Sequence, residues 1–179
     1  KPLFFREDEI LDKFSIVSSM ILNRLGKSNK IYARKCKIVE LTKKEAKKFF
    51  NENHLMGNGS GLTHALKSEN GIECALQIKK EQNTTKIQRF CNKLNTNVVG
   101  GYSRLLSLIS GPIYTYVDLR YGTGEFLKTL GFKQEKTYLS FKWTDSRNTW
   151  HRMKFPSNSG YEKGLFKIWD CGQAKFTRS

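Results

Sequence analysis

The chain has 179 residues and a formal net charge of +16, from 32 Lys and Arg against 16 Asp and Glu. A hydrophobic fraction of 38% suffices for a packed core, which excludes wholesale disorder and fits one domain with an appendage. The charge calls for an acidic partner, nucleic acid before an anionic membrane, and no apolar run reaches the roughly 20 residues of a membrane span. With no secretory leader in the sequence, an intracellular location without a membrane partner is expected. Cys36, Cys74, Cys91 and Cys171 lie far apart without metal-type spacing, so reduced thiols are expected and no metal.

Residues 1–27 read as an N-terminal helical linker. Ile10, Phe14, Val17, Ile21 and Leu25 share a helical face, and Gly26 stops it. The acidic run Glu7-Asp8-Glu9 is either a metal-ligand cluster or, more commonly, a helix start, where carboxylates meet the positive end of the dipole. Residues 28–144 are the expected core. Ile31 to Leu41 reads as one strand. Thr42 with Glu45 forms a capping box opening a helix that buries Ala46, Phe49 and Phe50. The lysines of that helix are either a solvated face or phosphate contacts; Arg34, Lys35, Lys43 and Lys47 are the candidates. His54, at the helix end, is either a general base or a capping residue. Gly61 to Leu66 and Ile72 to Lys79 form a hairpin, with Asn70-Gly71 signalling a type I′ turn and Ile72, Cys74, Leu76 and Ile78 its buried face.

From Ile87 to Phe132 the pattern is strand, glycine turn, helix, strand, short helix. Two strands joined by a helix are expected to be parallel. The loop Lys93 to Gly101 either faces a phosphate, since helix starts offer N–H groups, or is a plain tight turn. Arg89, Lys93, Asn95 and Arg104 join the DNA-contact candidates. His54, Asn92, Asn95, Asp118 and Arg120 are candidates to converge at the open strand ends. There His54, Asp118 and Arg120 form a candidate catalytic set, unless Asp118 and Arg120 merely pair with each other. Thr137 to Thr144 reads as one strand with Leu139, Phe141 and Trp143 on one face. Residues 145–179 form a C-terminal β extension in which Leu165–Asp170 pairs with Ala174–Thr177. Within it, Trp150, His151, Arg152, Lys154, Phe155 and Tyr161 interleave rings with charge, which either stacks on bases or is an ordinary sheet extension.

The order of elements, and Phe126-Leu127-Lys128-Thr129-Leu130-Gly131-Phe132 above all, resembles the GNAT acyltransferase fold: α+β, a mixed sheet with flanking helices. The resemblance covers roughly residues 31–143. It implies that Val99, Gly100 and Gly101 bind the pyrophosphate of coenzyme A, if the donor is of that type. The sequence departs from the family pattern at three positions. Asn97 replaces the arginine or glutamine of the family pattern, Tyr102 stands where a small residue belongs, and Leu127 occupies the place of the tyrosine general acid. These departures argue against acetyl-CoA, leave the cofactor unassigned, and assign the turn to DNA phosphate.

A second resemblance is to a module of bacteriophage mobile, homing-endonuclease-like proteins, where it follows a very-short-patch-repair-like nuclease domain. It rests on Asn53-His54-Leu55-Met56-Gly57, Arg89-Phe90-Cys91-Asn92-Lys93-Leu94-Asn95-Thr96, Val98-Val99-Gly100-Gly101, Tyr116-Val117-Asp118-Leu119-Arg120 and Ile168-Trp169-Asp170-Cys171-Gly172. On that resemblance residues 1–27 are the remnant of an upstream nuclease domain. The chain is distantly similar to the phage Mom DNA-modification proteins. The expected function is DNA targeting through phosphate contacts; the alternative is a DNA-directed group-transfer enzyme. Both a binding module and an enzyme stay open.

Overall fold

The computed structural model describes residues 2–179; Lys1, where the expected linker begins, lies outside them. In chain order the elements are α1 (Glu7–Asp12), α2 (Phe14–Arg24), β1 (Asn29–Tyr32), β2 (Lys37–Glu40), α3 (Lys43–Asn53), β3 (Leu62–Ser68), β4 (Gly71–Lys80) and β5 (Thr85–Asn92). There follow β6 (Thr96–Val99), α4 (Gly101–Leu106), β7 (Ile113–Asp118), α5 (Glu125–Lys128), β8 (Lys133–Tyr138), β9 (Phe141–Thr144), β10 (Thr149–His151), β11 (Phe166–Trp169) and β12 (Gln173–Arg178). Two compact units divide the chain. The larger is Phe5–Thr115 with Thr177–Ser179, and the smaller is Tyr116–Phe176 with residues 2–4.

In the larger unit the main sheet runs β2-β3-β4-β5-β7, with β1 and β6 as a separate parallel pair. Helix α3 starts where the capping box sets it. The Glu45 N–H donates to Thr42 Oγ1, and Glu45 Oε2 accepts from the Thr42 N–H at 2.9 Å. The bonds from Thr42 hold the Glu45 carboxyl below its ordinary range. The apolar face Ala46, Phe49, Phe50 then covers Leu41, Ala65 and Ala75. Burying a ring such as Phe50 stabilises by about 2–3 kcal/mol, and Phe50→Ala would cost about 3–5 kcal/mol. The opposite sheet face takes α4. Gly101 sits so close that a Cβ there would be 3.0 Å from Cys74 Sγ. Covered on both sides, β4 buries Glu73 and Gln77 as well as Cys74, Leu76 and Ile78, so the single buried face read from alternation is too narrow. Strands β5 and β7 are parallel, as their connection through a helix requires, pairing at Thr85↔Ile113 and Lys86↔Tyr114.

Several local expectations change. The strand expected over residues 31–41 is broken by a single helical turn, Ala33–Lys35, and its halves join different sheets. The cause is distant: the Arg104 guanidinium donates to the carbonyls of Ala33 and Cys36 and pins the turn. The N-terminal helix breaks at Lys13 (φ −136°, ψ 38°) and buries Ile16 and Val17, while Ile10, Phe14, Ile21 and Leu25 stand exposed. The hairpin forms where Asn70-Gly71 placed it, yet only Gly71 of the pair has positive φ, so the turn is not type I′. Ser68 Oγ accepts the Asn70 N–H and shapes it instead. The expected loop Lys93–Gly101 contains β6.

In the smaller unit the strand order is β7-β12-β8, and β9 is flanked by β10 and β11 in a three-stranded antiparallel sheet. The strand expected over residues 137–144 therefore splits into β8 and β9, with Leu139 exposed at the break. Strand β11 pairs with β9 rather than with the segment after Cys171-Gly172, which becomes β12. Leu127 and Phe176 form part of this unit's buried core, and Gly124 (φ +76°) meets the Phe176 ring so closely that a Cβ would be 2.4 Å away.

Candidate functional site

Polar residues of the larger unit gather in two places. The first is the loop from the end of α3 to β3. His54 Nδ1 accepts the Met56 N–H at 3.1 Å, which is the capping role. Burial, with Arg89 and Lys13 nearby, pushes its imidazole down to about 4, so it is neutral at pH 7 and a weak base. Asn51 Oδ1 accepts the Asn58 N–H, and buried Gln77 accepts from the Gly59 N–H while donating to Asn58 Oδ1 and Thr63 Oγ1. Arg89 donates to the carbonyls of Gly57 and Gln88, and burial lowers its pKa. Beside it β5 carries a feature that alternation cannot reveal. Gln77 pairs with Arg89 and Ile78 with Ile87, leaving Gln88 as a bulge. Bulges re-aim side chains and cluster beside active sites.

The second place is an open cleft of about 550 Å³ lined by Tyr32, Ala33, Arg34, Val99, Gly100, Ser103 and Arg104. Gly100 enters α4 with φ +75°, and a Cβ on it would find nothing nearer than Ala33 Cβ at 3.9 Å. The glycine is thus set by backbone conformation, and the space above it is open. Arg34 is exposed with its guanidinium 5.2 Å from the Tyr32 ring centroid, and Ser103 is exposed beside it. Because α4 has six residues, the cleft offers arginines, a hydroxyl and glycine backbone rather than a long helix's dipole. Tyr102 does not line the cleft. Its ring packs edge-on against Phe90 at 4.9 Å, and burial raises its phenol pKa. The large residue at position 102, which counted against acetyl-CoA in the sequence, therefore does not narrow this cleft. The residues fit the phosphates of a coenzyme-A-type donor: an open glycine turn with Arg34 and Ser103 at its rim.

The other expected residues are placed as follows. Asp118 and Arg120 of the smaller unit close on each other. Arg120 Nη2 lies 2.9 Å from Asp118 Oδ2, its N–H donates to Oδ1, and Arg120 is buried under the Tyr121 ring. Arg104 spends Nη1 on two carbonyls while bordering the cleft. Asn95 adopts φ +58° and its N–H donates to Ser19 Oγ. Lys93 Nζ reaches the Asn70 carbonyl at 3.4 Å. Arg34, Lys35, Lys43 and Lys47 are exposed with no carboxylate in ion-pair reach among the described residues. Glu9 caps α1 through the Arg6 N–H. Among the described residues no three His, Cys, Asp or Glu side chains gather as a metal site, and no helix is long and apolar enough to cross a membrane. All four cysteines are free thiols.

No protein-family model and no curated protein sequence matches the chain. Among solved structures, the ribosomal-protein-S18-alanine N-acetyltransferase from Escherichia coli matches with a TM-score of 0.53 at 10% identity, over 80% of this chain and 92% of that one. A putative GNAT-family acetyltransferase from Bacteroides thetaiotaomicron matches with a TM-score of 0.46 at 10% identity, over 80% of this chain and 86% of that one. The IAA acetyltransferase from Bacillus cereus ATCC 14579 gives 0.46 at 10% identity, over 79% and 99%. The fold is GNAT-like; at these identities the likeness is one of fold.

Proposed function

We propose that this chain is a group-transfer enzyme on a GNAT-like fold, with a coenzyme-A-type donor at the cleft beside α4 and DNA as the acceptor. The observation that carries the reading is the cleft itself: an open left-handed glycine turn rimmed by exposed Arg34 and Ser103. Backbone of Val99, Gly100 and Gly101 with the side chains of Arg34 and Ser103 would hold the donor's phosphates. When bound, such a donor supplies an activated acyl group. The chain's own residues bind and orient; neutral His54 and the closed Asp118–Arg120 pair leave no strong base assigned, so the rate rests on positioning. The net charge of +16 supports an acidic acceptor. The test is mass spectrometry of nucleosides from DNA incubated with the protein and acetyl-coenzyme A. A modified nucleoside is expected. An unmodified digest from protein that also fails to bind coenzyme A overturns the reading.

A second reading is a DNA-targeting module of phage mobile type. It is favoured by β2 and β3, where Lys37 stands directly opposite Lys67. Like charges across a ladder repel, and a phosphate would relieve them. Arg34, Lys35, Lys43 and Lys47 extend the supply of exposed cations. Gel shifts against salt test it: duplex affinity should fall steeply between low and moderate salt. A flat salt response contradicts it.

A further inference from the structure

The smaller unit holds rings that the transfer reading does not use. Register places Trp150, Trp143 and Lys167 in one row across β10, β9 and β11, and pairs Phe141 with Trp169 two residues along β9. Side chains two apart share a face, so one face of this sheet carries four rings and one ammonium. The loop after β10 covers its middle. Tyr161 and Phe155 meet Trp143 edge-on at 5.0 and 6.4 Å, and Gly160 lies so close that a Cβ would be 2.6 Å from the indole. Trp143 is fully buried.

The cover stops short of the edge. Tyr161 is 54% exposed and Trp169 55% exposed. Lys167 reaches both, with Nζ 5.1 Å from the Tyr161 centroid and 5.7 Å from that of Trp169, held by Asn158 Oδ1 at 2.6 Å. A half-buried ammonium is thus fixed against two exposed rings, with Phe141 and Trp143 also within 4.7 and 5.1 Å of it. Around them residues 141–169 carry Lys142, Arg147, Arg152, Lys154, Lys163 and Lys167 against Asp145 and Glu162. The matching ligand has flat apolar faces at regular spacing and a negative charge between each. A single-stranded nucleic acid has both; a duplex hides its base faces in its own stack.

We infer that the β10-β9-β11 sheet is a platform for single-stranded nucleic acid, with bases stacking on Tyr161 and Trp169 and a phosphate meeting Lys167. The inference stands apart from group transfer: it holds for a protein that binds a single strand without modifying it. Anisotropy of a labelled oligothymidylate titrated with the full chain tests it, with a duplex of equal length and phosphatidylserine vesicles as competitors. The single strand should bind more tightly than the duplex, and vesicles should not displace it. Trp169→Ala and Tyr161→Ala should each weaken binding about tenfold, from the loss of one stacked base. Since Trp169 also packs on Phe141 at 5.1 Å, Trp169→Phe separates stacking from folding. It keeps a ring and should retain affinity within about threefold. The proposal is overturned by equal affinity for duplex, by displacement of the single strand by vesicles, by an unchanged Trp169→Ala protein, or by Trp169→Phe losing as much as Trp169→Ala.

Discussion

The loop Asn53–Gly61 and the cleft beside α4 are both polar and glycine-bearing, and they differ in what their donors do. In the loop the polar side chains serve the fold. Asn53 bridges the Phe49 carbonyl and the Leu94 N–H, His54 caps, and Gln77 serves three partners. In the cleft, Arg34 and Ser103 stay exposed beside an open glycine turn. A buried polar group must find partners or destabilise the fold, so the loop is structural and the cleft has capacity for a ligand.

The glycines should separate the two regions most sharply. Gly61 has φ +121°, and a Cβ there would stand 2.0 Å from the Ile78 carbonyl oxygen. Gly61→Ala should cost about 3 kcal/mol or more in urea unfolding, from strain plus overpacking. Gly100→Ala has open space and should cost about 1–2 kcal/mol, from the left-handed backbone alone. Equal losses would break the comparison.

The two arginines of the cleft sharpen it further. Arg104→Ala removes the hydrogen bonds to the Ala33 and Cys36 carbonyls and should destabilise by about 2 kcal/mol. Arg34→Ala should change stability by less than about 0.5 kcal/mol while weakening donor binding. Thermal unfolding of both variants checks this, and a reversed order would show that the roles are exchanged.

The smallest effect is one of pH. His54 is held neutral in the fold down to about pH 4, whereas the unfolded chain protonates it near 6.5. The unfolded state therefore binds the extra proton, and the stability His54 contributes is complete above 6.5 and lost as pH falls toward 4. His54→Asn keeps an acceptor for the Met56 N–H and removes the titration. Its urea midpoint should fall less than the parent's between pH 6.5 and 4; parallel curves would contradict the burial of His54.

Local chemistry was legible where neighbours in sequence decide it. Thr42 and Glu45 start α3, Asn70-Gly71 marks the hairpin, and the glycine turn with its helix makes β5 and β7 parallel. What stayed hidden depends on distant partners. The break at Ala33–Lys35 is made by Arg104, 71 positions away. Whether β11 joins β9 or β12 is a matter of tertiary pairing, which the alternation within β11 does not encode. Of the expected site residues, the sequence left the pairing of Asp118 with Arg120 as one of two alternatives, which only the tertiary structure decides.

Titration calorimetry with coenzyme A bears most directly on the claim that the cleft takes a donor. Binding of one equivalent is predicted, weakened at least fivefold in Arg34→Ala, whose fold is expected to be intact, and unchanged in Lys154→Ala, which is not among the lining residues. No heat at millimolar coenzyme A, or binding that Arg34→Ala leaves untouched, would contradict it.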